Sequence, residues 1–175
     1  MIRNKILEIA YKYEGQKEIG NNTGFENAVF EQKMKAVGFD SGEAWCSLFA
    51  ELVWCEAYAH FDSTIINRLQ NLFSESATKT WLNFKNSRDF KVKSNQDLEP
   101  GDLVIWQKYN NGVADWRGHV GIVTKVAQLF FLTMEGNTNE QGSREGQGVY
   151  EKKREYDFYK NNGLRILGFV KPKKV

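Results

Sequence analysis

The two halves of the sequence carry different secondary-structure patterns, and their order limits the folds that the chain can adopt. The first half predicts helices, with apolar residues at helical spacing, over about 2–13, 25–37, 44–59 and 74–84, the last capped by Ser74. The second half predicts strands between Gly- and Asn-rich loops, at "LVIWQ", "GHVGIVTKV", "LFFLTME", "GVYEKK" and "LRILGFVK". Helices followed by antiparallel strands indicate an α+β fold and not alternating βαβ units.

The size and charge of the chain favour one ordinary globular domain. A chain of 175 residues is long enough for one domain with a substantial core. A net charge of +2 gives no strong argument for nucleic acid as a partner. No apolar run has the length of a membrane span, and the N-terminus lacks the apolar core and cleavage site of a signal peptide. We therefore expect synthesis in the cytoplasm without a classical export signal.

The segment "EAWCSLFAELVWC" contains both cysteines of the sequence. Cys46 falls in the first turn of the predicted third helix, where the helix dipole and free N–H groups favour a thiolate and could stabilise an oxyanion. The alternative is that Cys46 is a small buried apolar residue. Cys55 is assigned to the core, and within one helix it lies roughly 13 Å from Cys46, too far for a disulfide.

A nucleophilic cysteine needs a base, and the sequence contains two histidines. His60 follows the end of the third helix, about 20 Å along the axis from Cys46, and is predicted to be a C-terminal cap or surface residue. His119 is predicted to start the strand "HVGIVTK" and is the candidate base. Gly121 shares its face of the strand, where bare backbone is predicted to let a substrate approach.

The next strand offers an acidic or amide partner for His119. A hairpin of strands 119–125 and 129–135 with a three-residue loop pairs His119 directly with Glu135. A five-residue loop would place Asn137 opposite His119 instead. Either side chain could orient the imidazole and stabilise an imidazolium, although both could simply begin a polar loop. The cysteine, the histidine and the acid together favour a catalytic set.

Four segments in this order resemble the CHAP domain of the NlpC/P60-like cysteine peptidases: "WCSLFAELVWC", "LEPGDLVIW", "GHVGIVTKV" and "MEGNTN". Members of that family are bacterial and phage enzymes that cleave peptidoglycan. The resemblance covers about residues 40–170. It implies a papain-like α+β fold with N-terminal helices packed on a curved antiparallel sheet. We expect one CHAP-like catalytic domain over 1–175, with a helical extension at 1–40 and a catalytic core at 41–175.

The resemblance also implies roles for individual residues. Cys46 would be the nucleophile, His119 the base, Glu135 the residue that orients it, and Asn137 an assisting residue. The expected reaction is hydrolysis of a murein amide through a thioester, at either the N-acetylmuramoyl–L-alanine bond or a peptide bond. No cofactor is implied. No metal is predicted either, because the calcium-binding members use aspartate-rich loops and only Asp40 lies near the nucleophile.

Further expectations concern the substrate and the partners of the protein. Trp45, Trp106 and Trp116 are candidate walls of the groove. A core position is favoured for Trp45 and Trp106, whereas Trp116 is predicted in a polar loop that could line the cleft. Asp115 could contact a stem-peptide amine or be a solvated loop residue. Peptidoglycan is the expected partner, reached by phage-type release or by a secretion machine, with an immunity protein as a further partner. Two other functions remain open: a cysteine acyltransferase or transglutaminase-like enzyme acting on proteins, and a non-catalytic wall-binding protein.

Overall fold

The computed structural model describes residues 1–138 and 147–175. The helices are α1 (Ile2–Lys12), α2 (Ala28–Ala36), α3 (Cys46–Ala59), α4 (Ile66–Leu72) and α5 (Ala77–Asn86), with a 3-10 turn at Ser63–Ile65. The strands are β1 (Glu18–Ile19), β2 (Gly24–Phe25), β3 (Lys91–Lys93), β4 (Leu103–Asn110), β5 (Val113–Val126), β6 (Phe130–Thr138), β7 (Gly148–Glu155) and β8 (Gly163–Lys171).

The longer strands form one antiparallel sheet of six strands in the order β3-β8-β4-β5-β6-β7, and β1 pairs with β2. The strand pairs β4–β5, β5–β6 and β6–β7 are consecutive in the chain, so this part of the sheet is a meander. Helices therefore precede an antiparallel sheet, and the predicted α+β fold is confirmed.

Helix α3 occupies the centre of the molecule. Its sequence is apolar on nearly every side, as expected of a helix that is surrounded by protein. It packs against α1 on one side and against β5 and β6 on the other. The core that it organises takes Ile105, Val120, Ile122 and Met134 from the sheet. His60 caps the C-terminal end of this helix, as predicted.

The N-terminal extension belongs to the same core. Ile2, Ile6 and Ile9 are buried together with residues of α3, as their helical spacing predicts. The hydroxyl of Tyr13 donates to the Glu56 carboxylate of α3 at 2.8 Å, and backbone hydrogen bonds connect residues 15–18 to residues 147–149. Residues 1–40 therefore supply packing and edge contacts to the rest of the fold.

Three local features differ from the sequence analysis. Helix α4 was not predicted, and the N-cap of α5 is Ser76, whose hydroxyl accepts from Lys79 N, instead of Ser74. His119 lies in the middle of β5 and does not begin it. The reason is a tight turn at Asn111 and Gly112, with φ of 49° and 78°, which continues β4 directly into a long hairpin.

Candidate active site

The first turn of α3 is anchored by Trp45. This residue is the N-cap position of the helix, is fully buried, and donates from Nε1 to Glu18 Oε2 at 2.8 Å. Its ring makes edge contacts with Phe25 and Phe49. Trp45 therefore fixes the position of Cys46 from inside the core. The expectation that it forms a wall of the groove is corrected, because the ring has no exposed face.

A glycine on β6 allows α3 to approach the sheet closely. A Cβ atom at Gly136 would lie 2.6 Å from both Phe49 Cβ and Trp45 Cζ3, which is closer than real Cβ contacts. Only bare backbone fits at this position. The first turn of the helix therefore rests directly on the strand segment between Glu135 and Asn137.

The register between β5 and β6 is that of the five-residue-loop alternative. Ile122 pairs with Met134 and Val123 with Thr133, and a bulge follows. Extended by one residue, this register places Gly121 opposite Glu135. The alternative with a three-residue loop, in which His119 and Glu135 are direct cross-strand partners, is therefore wrong. Both candidate partners lie within β6, so the reading in which they begin a loop is also wrong.

Glu135 nevertheless meets the imidazole. Its Oε2 lies 2.7 Å from Nε2 of His119. The Glu135 side chain passes over Gly121 to reach the imidazole, and a Cβ added at Gly121 would lie 3.0 Å from Glu135 Cγ. The bare backbone at Gly121 is thus occupied by the carboxylate side chain, which corrects the expectation that a substrate would approach there.

Glu135 is completely buried and has further polar partners. Arg154 donates from Nε to Oε1 at 2.7 Å and from Nη2 to Oε2 at 2.5 Å, and the Thr133 hydroxyl donates to Oε1 at 2.5 Å. Burial alone would favour the neutral acid. The charge of His119 and the charge and hydrogen bond of Arg154 outweigh it and lower the pKa of Glu135 to about 2. The carboxylate is therefore ionised at neutral pH.

His119 is held between Cys46 and the ionised carboxylate of Glu135. Burial opposes its protonation, but the charges of Cys46 and Glu135, together with hydrogen bonds to both, raise the pKa of His119 to about 9. Because Nε2 faces Glu135, Nδ1 is the nitrogen left to exchange a proton with the thiol. The Trp106 ring lies against the imidazole, 5.8 Å between centroids. The structure thus brings together Cys46, His119 and Glu135.

Asn137 lies two residues beyond Glu135 and is 5% exposed. Its backbone has a φ of 53°, a left-handed conformation that asparagine tolerates better than most residues. Its assisting role remains a prediction. The polar stretch that follows in the sequence falls mainly on residues 139–146, which lie outside the described residues.

A cleft of about 420 Å³ opens at Cys46 and is lined by 42–44, 75–77 and 116–118. Trp116 forms part of this wall and is 78% exposed, and its contact with substrate stays a prediction. It belongs to β5 and not to a loop. Asp115 faces Arg117 instead, accepting from its backbone N–H and from Nε at 3.0 and 2.9 Å. These bonds lower the pKa of Asp115, and its carboxylate binds the Arg117 side chain instead of facing the cleft.

Arg154 and Thr133 are the site residues that the sequence did not reveal. Thr133 could have been found, because alternation places it on the same face of β6 as Glu135. Arg154 depends on the register between β6 and β7, in which Phe131 pairs with Arg154. Its guanidinium also lies over the Trp106 ring, 5.3 Å from the ring centre, so Arg154 contacts both Glu135 and Trp106, the two residues that pack against His119.

Within residues 1–138 and 147–175, no group of three His, Cys, Asp or Glu side chains has an arrangement suited to a metal ion. No helix in the same ranges has both the length and the apolar character needed to cross a membrane.

Comparison with known proteins gives one family. Residues 38–137 match the family model described as the CHAP domain. A solved chain titled "The crystal structure of Ly7917" aligns with a TM-score of 0.49 and 17% identity over 97% of this chain and 62% of that chain, so this chain spans less than two thirds of its length. No curated protein matches significantly. Because the family match extends over more than half of the sequence, the chain belongs to the CHAP family, cysteine- and histidine-dependent amidohydrolase or peptidase domains of the NlpC/P60-like superfamily.

Proposed function

We propose that the protein is a cysteine-dependent peptidoglycan hydrolase that cleaves an amide bond with Cys46, His119 and Glu135. The observation that carries this proposal is the hydrogen-bonded series from the Cys46 thiol through the imidazole to an ionised carboxylate, at the edge of a cleft. A purely structural cysteine would need neither the buried imidazole nor the charged carboxylate behind it. Membership of the CHAP family supports murein as the substrate.

The proposed reaction begins with attack of the Cys46 thiolate on the carbonyl carbon of the bound amide. The oxyanion that forms is stabilised by the backbone N–H of Cys46 and the positive end of α3, a helix that begins without a side-chain cap. His119 gives its proton to the departing amine, and a thioester to Cys46 remains. His119 then takes a proton from water as the water attacks the thioester, and the Cys46 thiolate is released as the acid product forms, which restores the starting thiolate and imidazolium.

Glu135 keeps the imidazole oriented and charged during this cycle. A carboxylate in this position holds one tautomer and stabilises the imidazolium, and it does not itself take up the proton. Arg154 and Thr133 keep the carboxylate ionised and fixed in place. The exposed ring of Trp116 is the proposed contact for the substrate on the wall of the cleft.

Digestion of purified sacculi, followed by mass spectrometry of the soluble products, tests the proposal. We expect lysis by the wild-type protein, with new termini either at the N-acetylmuramoyl–L-alanine bond or within the peptides. Cys46→Ala should release nothing, and Cys55→Ala is the matched control. Lysis by Cys46→Ala at the wild-type rate would contradict the mechanism. Intact sacculi together with amine incorporation into protein substrates would favour the acyltransferase alternative.

A further inference from the structure

A second cavity of about 290 Å³ lies beside α3, between the end of α2, helix α4 and the segment before α5. Leu48 and Phe73 give it apolar walls, and Glu51 and Glu75 supply carboxyl groups. Glu75 also lines the cleft at Cys46, so the two cavities share a border. A ligand that occupies the cleft could therefore extend a side chain into this second pocket.

Glu51 is the unusual member of this pocket. It is 4% exposed, and across 1–138 and 147–175 its carboxyl group has no hydrogen-bond or ion-pair partner. Buried carboxyl groups are normally paired, because an unpaired one loses its hydration without compensation. The Glu51 side chain lines the cavity, and among the described residues burial is the one cause that shifts its pKa. An absent ligand would explain its position.

The chemistry of the walls indicates the class of ligand. Apolar side chains at the sides suit an alkyl chain, and the carboxyl groups suit a cation. The described lining contains no Lys, Arg or His. We propose that this pocket binds a primary ammonium group on an alkyl chain, such as a lysine-type side chain of the peptide cleaved at Cys46. The identity of that peptide rests on the proposed function, whereas binding of the ammonium group does not.

The charge state of the pocket makes the proposal measurable. Burial raises the pKa of Glu51 to about 8, so this group is mostly neutral at pH 7 in the free protein. Hydrogen bonds from its own backbone N–H and from Ser74 lower the pKa of Glu75, which is therefore ionised at the rim. A bound ammonium group would ionise Glu51 and release its proton to the solvent.

The other groups that face Glu51 are few. The thiol of Cys55 lies on the same helix and has its pKa raised to about 12 by burial and by Glu51. Lys79 acts on Glu75 from α5. Helices α2 and α4 contribute uncharged lining residues, Ala36 and Gln70 among them. The only group here that can release a proton near neutral pH is therefore Glu51.

Calorimetry with the full-length protein at pH 7 provides the test, using Nα-acetyl-L-lysine amide and its norleucine analogue as probes. The norleucine probe has the same alkyl chain without the ammonium group. We expect the lysine probe to bind with release of nearly one proton and the norleucine probe to bind at least roughly tenfold more weakly. Affinity for the lysine probe should rise between pH 6 and 9 as Glu51 ionises.

Glu51→Gln keeps the shape of the side chain and removes its charge. It should weaken the lysine probe roughly tenfold or more and abolish proton release. Glu75→Gln should weaken binding less and keep proton release. Glu26→Gln makes the same change at an exposed position elsewhere and should behave as the wild type. Thermal unfolding of each variant shows that the fold is intact.

The outcomes separate this proposal from the proposed function. Absence of lysine-probe binding to the wild type, or unchanged binding in Glu51→Gln, overturns the ammonium pocket. If sacculi remain intact while the probes behave as expected, the pocket stands and the hydrolase proposal fails. If sacculi are lysed and Glu51→Gln changes neither probe affinity nor the KM for amine-bearing peptides, the hydrolase stands and the pocket fails.

Discussion

The first turn and the middle of α3 each carry a cysteine close to a buried carboxyl group, but the two regions are opposite in charge state. At the first turn Cys46 meets His119, and Glu135 has a pKa of about 2. In the middle, burial raises the pKa of Glu51 to about 8 and that of Cys55 to about 12. All four side chains belong to buried residues, so burial does not explain the difference.

The difference comes from the partners. Glu135 has the His119 imidazole, the Arg154 guanidinium and the Thr133 hydroxyl around it, and these repay the loss of hydration. Glu51 has no such partners among the described residues. A buried acid can therefore serve as a fixed negative charge only where the fold surrounds it with donors. Each prediction below changes one side of this comparison.

The largest effect is expected from removing the thiol at the first turn. Cys46→Ala should lower sacculus hydrolysis on the order of 10⁴-fold or more, because no other group can form the thioester. The matched change Cys55→Ala should retain activity. It should cost about 1 kcal/mol of stability, measured by denaturant unfolding, through lost packing. Equal loss of activity in both variants would mean that the two thiols are not different in function.

Removing the charge behind the histidine should have the next largest effect. Glu135→Gln should lower kcat roughly 10²-fold or more, since the imidazolium loses its anionic partner. The alkaline limb of the pH–rate profile, expected near pH 9 in the wild type because His119 must stay protonated, should also move to lower pH. The sign follows because removal of a nearby negative charge lowers the pKa of the imidazole. An alkaline limb that stays at the same pH in Glu135→Gln would mean that Glu135 does not act on His119 during catalysis.

A smaller effect is expected at Arg154, which acts through Glu135 and does not touch the proposed substrate. Arg154→Met should lower kcat about tenfold, with little change in KM, because the carboxylate loses its bidentate donor. Arg154→Lys should recover part of the loss, because it restores the charge without the two-pronged contact. Steady-state kinetics on a soluble murein peptide provides the measurement. A KM effect with unchanged kcat would instead place Arg154 in substrate binding.

In the middle of α3 the predicted effect is on stability and not on catalysis. The folded protein holds the Glu51 proton up to about pH 8, whereas the unfolded chain loses it near the ordinary value of 4.5. Wild-type stability should therefore fall as the pH rises through this window. Relative to the wild type, Glu51→Gln should be more stable by on the order of 4 kcal/mol at pH 9 and by little at pH 5. Denaturant unfolding at the two pH values measures the difference in unfolding free energy between the variant and the wild type. A difference that is the same at pH 5 and pH 9 would contradict this prediction.

Much of this comparison was accessible from the sequence. The helix that begins at Cys46, the strand with His119 and the acid at position 135 were all predicted from local patterns, because periodicity and helix-end chemistry are local properties. Two registers were left open for this hairpin, and the one that pairs His119 directly with Glu135 does not occur. The side chain reaches the imidazole because Gly121 leaves room, and a bulge in a hairpin cannot be read from alternation alone.

The rest of the site depends on tertiary contacts. Arg154 reaches Glu135 only through the pairing of β6 with β7, whose connection has no local signal for its register. Trp45 was a candidate for the groove wall with a core position favoured, and the contacts that hold it in the core are the rings of Phe25 and Phe49 and the Glu18 carboxylate. The unpartnered state of Glu51 is likewise a property of packing, since the sequence shows only that an acid lies within an apolar stretch of α3.

Alkylation by iodoacetamide at pH 6.5, followed residue by residue with mass spectrometry, is the most direct test of an ion pair between Cys46 and His119. An ordinary thiol with a pKa near 8.5 is almost entirely protonated at this pH. We predict that Cys46 reacts at least about 100-fold faster than Cys55, and that His119→Ala abolishes the advantage. Equal rates at the two cysteines, or a fast Cys46 that is indifferent to the loss of His119, would contradict the account.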